Sequence, residues 1–336
     1  MLPMILRRLL LLPAIVLVIY TVTLTLAWAI PGNPLEKPDG RRPAPEVAQA
    51  MLAQYNLDNY WTFYSTYLDS ASGLKFVRHS LDGTNARRAR DADALGLAPP
   101  PREVFDLGPS LFYRDRRVGE IIGASLPVSI TLGAAAMLIA LLVGVTAGVV
   151  GAVRPNSLAD HSTLAVALIG ISLPSFVTGT LLLVIFSVWW KLLPIAQWGT
   201  LQSMALPAVT LSLPFAAYIA RLTRMGMLEH LGADYIRTAR AKGAAERTVL
   251  LRHALKNAFL PVLSYLGPAT AYAMTGSFVV ERVFNVPGLG QHFVSAVQNK
   301  DLFLIMGVVL VYATMLIVFN LAVDVLYRWI DPRIEQ

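Results

Sequence analysis

Reactive sites need a nucleophile, a proton carrier or a metal cage, and this chain of 336 residues offers little of each. Its five histidines (His79, His161, His230, His253 and His292) are scattered without metal-ligand spacing, and it has no cysteine. Disulfides, thiolate metal sites and cysteine nucleophiles are therefore excluded. No H-E-x-x-H pair, G-x-S-x-G elbow or G-x-x-x-x-G-K-[ST] phosphate loop occurs. Ser129, Ser172 and Ser175 fall in apolar runs whose interiors hold no histidine or carboxylate to activate them. The chain reads as one that catalyses no bond change and needs no cofactor or metal.

The elements around these residues explain the poverty. Only 15% of residues are charged and mean hydropathy is +0.56, against about 25% charged residues in soluble domains. Stretches 9–35, 121–153, 161–190, 192–220, 257–280 and 302–323 contain no Asp, Glu, Lys or Arg. Each is long enough to cross a hydrocarbon core, which takes about 20 helical residues. The expected fold is an all-α polytopic membrane protein with six transmembrane helices. These are a retained first helix from about Leu9 to Ile30, then about 126–153, 162–189, 205–222, 258–280 and 302–326. Ala27-Trp28-Ala29 imitates a signal-peptide cleavage site, but the apolar run before it is too long for one.

Charge orients the helices. Arg221 to Lys256 carries eight basic and three acidic residues, which places that loop in the cytoplasm together with Arg7, Arg8, Arg154, Arg328 and Arg333. Both termini are then cytoplasmic, and 32–120 and 281–301 are extracytoplasmic. The basic balance (net +7) is a topology signal; no basic groove interleaved with aromatic residues suggests nucleic acid. Three regions follow: 1–31 as the first helix, 32–120 as an outer region, and 121–336 as a five-helix core with a cytoplasmic loop at 223–257. Within the outer region Glu46–Leu57 reads as an amphipathic helix, and Asn85–Arg102, with Pro99-Pro100-Pro101, as irregular extended chain. Ionisable groups that could relay protons are missing from the spans; Asp324 sits one turn from the end of the last and reads as a helix-end group. Gly144 and Gly148 put small residues on one face for close helix packing. Pro174 and Pro214 are candidate hinges.

The inner loop is the informative segment. In Ala233-Asp-Tyr-Ile-Arg-Thr-Ala-Arg-Ala-Lys-Gly243, residues Tyr235, Thr238, Ala239 and Lys242 share one helix face, and Gly243 suits the position that ends it. Arg240 falls opposite. A second amphipathic run, Ala245–Leu255, leads back to the membrane. Such a short face of small residues flanked by charge suits a groove on another protein. On composition alone a solvated basic loop remains open.

Here the sequence resembles the dipeptide/oligopeptide/nickel family of ABC importer permeases. Tyr235-Ile-Arg-Thr-Ala-Arg-Ala-Lys-Gly243, Leu251-Arg-His-Ala-Leu-Lys-Asn257 and Leu260-Pro261 resemble its coupling loop. Ile5-Leu-Arg-Arg8, Ile30-Pro-Gly-Asn-Pro34, Phe105-Asp-Leu-Gly-Pro-Ser-Leu111 and Leu126-Pro-Val-Ser129 are similar to its first helix and the lead into its second. Glu281, Val283-Phe284, Pro287-Gly-Leu-Gly290 and Asp301 resemble its last outer loop, and Val323-Asp-Val-Leu-Tyr327 with Asp331-Pro332-Arg333 its C-terminus. The likeness spans about 1–36 and 104–336 and is greatest to the first, B-type, permease subunit of oligopeptide transporters. Two features depart from the general importer pattern: Arg237-Thr238-Ala239 stand where it has Glu-Ala-Ala, and about 74–103 looks like an insertion.

The resemblance implies a type I ABC importer permease in the bacterial inner membrane. It implies pairing with a second homologous permease and two ATPase subunits, and an extracytoplasmic binding protein delivering peptides. Tyr235, Thr238, Ala239, Lys242 and Gly243 would couple to the ATPase. Glu281, Pro287, Gly288, Gly290 and Asp301, in the last outer loop, would dock the binding protein. Nickel, an opine or a modified peptide is the alternative cargo within the family, and a secondary transporter or channel is the alternative class.

Overall fold

The computed structural model describes residues 2–36, 43–94, 103–113, 115–195 and 197–330, with side chains from Leu10 to Leu326. Among these the regular structure is helical, with one isolated bridge between Pro109 and Arg117. The helices are α1 (Leu2–Ala29), α2 (Pro45–Tyr55), α3 (Tyr60–Ala71), α4 (Leu74–Leu81), α5 (Thr84–Ala94), α6 (Val118–Val153), α7 (Leu158–Ser172) and α8 (Ser175–Leu183). Then follow α9 (Leu201–Leu231), α10 (Asp234–Ala241), α11 (Glu246–Thr248), α12 (Leu255–Ala258), α13 (Leu260–Met274), α14 (Phe278–Val283), α15 (Leu289–Gln298) and α16 (Leu302–Ile330). π-Helical turns extend α8 through Val184–Trp189 and join α11 to α12 through Val249–Ala254.

Among the described residues four helices are long and apolar enough to cross a membrane: Leu10–Ala29, Val118–Val153, Leu201–Leu231 and Leu302–Leu326. The other two expected spans take different forms. The third is a broken pair, Leu158–Ser172 and Ser175–Trp189, bent by 106°. The break falls at Pro174, which cannot supply the N–H that a continuous helix needs. Pro214 lies inside the unbroken α9. In the fifth, α13 has 15 residues, about 22 Å at 1.5 Å per residue. The fourth outruns its charge-free stretch, because α9 continues through Arg221, Arg224 and Glu229 to Leu231.

The expectation of extended chain over Asn85–Arg102 fails in its first half. Thr84–Ala94 is helical, since its Ala and Arg are strong helix formers and Asp82 accepts the N–H of Thr84 at 2.9 Å. Residues 95–102, with the triple proline, lie outside the described residues, as do Asp331-Pro332-Arg333. The helix expected over Glu46–Leu57 appears as Pro45–Tyr55.

The chain divides into two compact units. One is built on Ser125–Gln291 with the flanking ends of α1 and α16; the other comprises Pro13–Ala124 and His292–Ala313. In the first, the buried core joins Leu132, Met137 and Ala140 of α6 to Leu211, Phe215 and Ile219 of α9, with Val262 and Ala269 of α13 and Val280 and Phe284 of the α14 region. Gly144 and Gly148 make the α6–α9 contact. A Cβ on Gly144 would stand 2.6 Å from the Ala216 carbonyl oxygen, and one on Gly148 2.6 Å from that of Ala220. The expected small-residue seam is therefore a backbone-to-backbone contact. In the second unit α3 lies against α1, and Asp301 anchors residues 110–112.

Candidate functional site

The α10 segment is a short helix fastened at one side. Ile236 is fully buried in a small cluster with Ala152, Met227, Val249, Ala254 and Ala258. That one anchor sets the helix's rotation. Tyr235 remains 39% exposed, its hydroxyl receiving the Asn257 amide at 3.3 Å, while Thr238 and Lys242 are exposed. Ala239 differs from its expected partners. It lies three residues from Ile236, is half-buried, and packs against the same cluster. Its smallness answers to the chain's own core; the face left open is Tyr235, Thr238 and Lys242.

The helix ends as Gly243 suggests. Gly243 has φ +79°, its N–H donates to the Arg240 carbonyl at 2.9 Å, and the Ala244 N–H donates to that of Ala239 at 3.2 Å. These are the two bonds of a Schellman stop, whose left-handed residue favours glycine. Nothing lies within 4 Å of a Cβ built there, so the constraint is backbone conformation alone. Arg240 is not idle: its guanidinium grips Glu246 across this turn at 2.6 Å, holding the Glu246 carboxyl below its ordinary range.

The residues expected to dock a partner from the last outer loop sit mostly inside. Glu281 is 0% exposed. Its Oε1 accepts the Ser129 hydroxyl at 2.8 Å and its Oε2 the Gln291 N–H at 3.1 Å, with the Gly290 N–H also donating. Ser129 in turn accepts the Leu289 N–H at 2.8 Å. Glu281 and Ser129 together therefore cap the start of α15. Gly288 and Gly290 are small because the carboxylate presses on them: a Cβ on Gly288 would stand 2.5 Å from its carboxyl carbon. Among the described residues no cation pairs with it, and burial pushes Glu281 up to about 7, opposed by its hydrogen bonds.

Asp301 is equally closed off. Its Oδ2 accepts the Ser110 hydroxyl at 2.5 Å and the N–H groups of Leu111 and Phe112 at 3.0 and 3.1 Å; its Oδ1 accepts the Leu304 N–H at 3.2 Å. It thus caps α16 and ties the 110–112 segment to it. Buried carboxylates offer no surface, so Glu281, Gly288, Gly290 and Asp301 are corrected from docking residues to internal braces. Pro287 alone of that set is exposed.

One pair escaped the sequence reading. Asp160, 1% exposed at the start of α7, meets Arg224 of α9 in a two-point contact, Oδ1 to Nε at 2.5 Å and Oδ2 to Nη2 at 2.7 Å. The Asn156 N–H donates to Oδ2 at 2.8 Å. The only signal available was an acid bordering one charge-free run and a base four positions past the end of another.

With this geometry in place, comparison with known proteins is informative. Residues 140–336 match the family described as "Binding-protein-dependent transport system inner membrane component". The chain is similar to the oligopeptide transport system permease protein OppB of Salmonella typhimurium, at 39% identity over the whole of both chains. It is also similar to the dipeptide transport system permease protein DppB of Bacillus subtilis, at 37% identity over 96% of this chain and 94% of that one. A chain from inward-facing structures of the MetNI methionine ABC transporter aligns over 63% of this chain and 97% of its own, with 18% identity and a TM-score of 0.49.

Proposed function

The chain belongs to the family of binding-protein-dependent transport system inner membrane components, and from that membership we propose that it is the permease subunit of an ATP-driven peptide importer. The cargo is an oligopeptide or dipeptide handed over by an extracytoplasmic binding protein, as the names of its full-length relatives suggest. A second, homologous permease completes the pathway, and two ATPase subunits bind below. ATP closes the ATPases, α10 moves with them, and the helices switch between outward- and inward-facing states. This chain hydrolyses nothing itself; it positions, couples and excludes leakage. The bilayer orientation follows the charge reading, with α10 cytoplasmic and 32–120 on the binding-protein side, where Pro287 and the exposed polar parts of that region supply contacts.

The observation that carries the coupling role is the open face of α10. Tyr235, Thr238 and Lys242 point away from the core that Ile236 fills, and a Schellman stop at Gly243 turns the chain away beyond them. Thr238→Trp tests it, because a large ring on an exposed site leaves the anchor untouched. The full complex bearing it should insert normally, bind its ATPases more weakly and lose uptake of a labelled peptide. Wild-type uptake and association would refute the role.

A further inference from the structure

We infer that the Asp160–Arg224 ion pair is a positioning clasp of the transport cycle. It fastens α7, the first half of the broken third span, to α9, so that the two move as one when α10 is displaced. Resting on the importer reading above, the clasp adds to it the residues through which the movement passes.

The face that α7 turns to its neighbours is smooth. Asp160 and Ala167 are buried and Thr163 and Gly170 half-buried, at i, i+3, i+7 and i+10 on one side of the helix, while Val166, Leu168 and Ile169 are exposed. At the far end of this seam a Cβ on Gly170 would stand 3.3 Å from the Leu213 carbonyl oxygen and 3.4 Å from the Ala217 Cβ of α9. Asp160 meets Arg224 about 15 Å of helix away, so α7 and α9 run antiparallel between the two contacts. Thr163, Ala167 and Gly170 put no large side chain into the seam, and packing without interdigitated side chains fixes register weakly.

The ion pair supplies what the seam lacks. A buried pair gains little stability over apolar side chains of similar volume, because desolvation offsets the attraction. Its two-point geometry instead fixes distance and orientation together. Nε and Nη2 of Arg224 donate to different carboxylate oxygens, and the Asn156 N–H adds a third bond at 2.8 Å. Gly151 of α6 closes the site: a Cβ there would stand 3.0 Å from Oδ1 of Asp160 and 3.4 Å from the Arg224 Cδ. A slip of α7 by one turn, about 5.4 Å, would strand a carboxylate that is 1% exposed without its counter-charge.

The clasp stands where a movement of α10 arrives. Ala152, next to Gly151, and Met227, one turn beyond Arg224, belong to the buried cluster that holds Ile236. Asp160 lies in the first turn of α7, whose other end is the 106° corner before α8. Displacing Ile236 pushes on the ends of α6 and α9, and the pair hands that push to α7.

The chain has no cysteine, so a covalent tie can be placed at the far end of the seam without touching the pair. Gly170→Cys with Ala217→Cys sets two Cβ atoms 3.4 Å apart, near the spacing of a disulfide, about 3.8 Å. The full complex is reconstituted in liposomes, and uptake of a labelled mixture of alanine peptides is measured per ATP hydrolysed. Asp160→Asn should assemble normally but move several-fold less peptide per ATP. Arg224→Lys, which keeps the charge and loses the second bond, should fall between it and wild type. Oxidising the double-cysteine chain should leave uptake intact when the pair is present. In the Asp160→Asn background oxidation should restore most of the lost coupling, and reduction should remove it again. Wild-type coupling in Asp160→Asn, or no rescue by the disulfide, overturns the clasp. So does oxidation that stops uptake with the pair intact, which would show that α7 and α9 must part; this arm decides even where Asp160→Asn fails to assemble. A wild-type complex that takes up no peptide would instead fail the importer reading itself.

Discussion

Ser129 and Glu281, 152 positions apart, share a 2.8 Å hydrogen bond in a site closed to solvent, and between them they hold the start of α15. The donors to the carboxyl among the described residues, the Ser129 hydroxyl and the N–H groups of Gly290 and Gln291, are neutral.

A pH dependence follows. The folded chain holds the Glu281 proton up to about pH 7, well above an ordinary carboxylate. A raised folded pKa means the folded state binds the proton more tightly than the unfolded one. Its contribution is complete below the unfolded value, about 4.3, and fades as pH rises through about 7. The melting temperature of wild type should therefore fall relative to Glu281→Gln across that window. Parallel curves would refute the shift.

Gly288→Ala forces a methyl group against the Glu281 carboxyl. Overpacking of this kind costs roughly 1–3 kcal/mol. The variant should melt lower and accumulate less in membranes. Gly288→Ala combined with Glu281→Ala should recover part of the loss, because the second change empties the space the first one needs.

Gly243 separates conformation from space. Its left-handed φ penalises a residue with a Cβ by roughly 1 kcal/mol or more, yet nothing crowds it. Gly243→Asn should keep most transport, since Asn tolerates this conformation, whereas Gly243→Val should lose it with the protein still inserted. Equal activity in the two would remove the stop from the coupling account.

What the sequence disclosed here and what it hid divide along a physical line. Charge-free length marked the long apolar helices, four of them long enough to cross a membrane among the described residues, and the order Tyr235, Thr238, Lys242, Gly243 marked an exposed helix and its stop, because both are local patterns. Asp160 and Arg224 are 64 positions apart, and Ser110 and Asp301 are 191 apart; no local spacing joins them. Glu281 and Asp301 lie in an outer loop whose sequence resembles a docking loop, and only the fold reveals the donors gathered around them. Ala239 had the right spacing for the open face, but Ile236 alone decided which side of α10 turned inward. Over Thr84–Ala94 the proline run downstream outweighed an Ala–Arg composition that favours helix.

Orientation can be checked with the same cysteine-free background. Lys242 is exposed and Ala244 half-buried against the α10 cluster, so the probe belongs at Lys242. Lys242→Cys should resist an impermeant maleimide applied to intact cells and react in inverted membrane vesicles, with Trp61→Cys showing the opposite. Labelling of Lys242→Cys from outside would invert the topology.

The glycine seam sets where the molecule can yield. Along α6 and α9 no side chain cushions the contact at Gly144 and Gly148; Ile219 and Thr223 are keyed into the spaces that the missing Cβ atoms leave. Sliding one helix past the other would drive those branched side chains into bare backbone, so the two long helices act as one stiff beam. In the importer proposed above, a displacement delivered through α10, which sits on the ends of both, would be carried along that beam with little lost to bending. The helical ladder is already broken at the 106° corner beside Pro174, which is where such a movement would find its compliance.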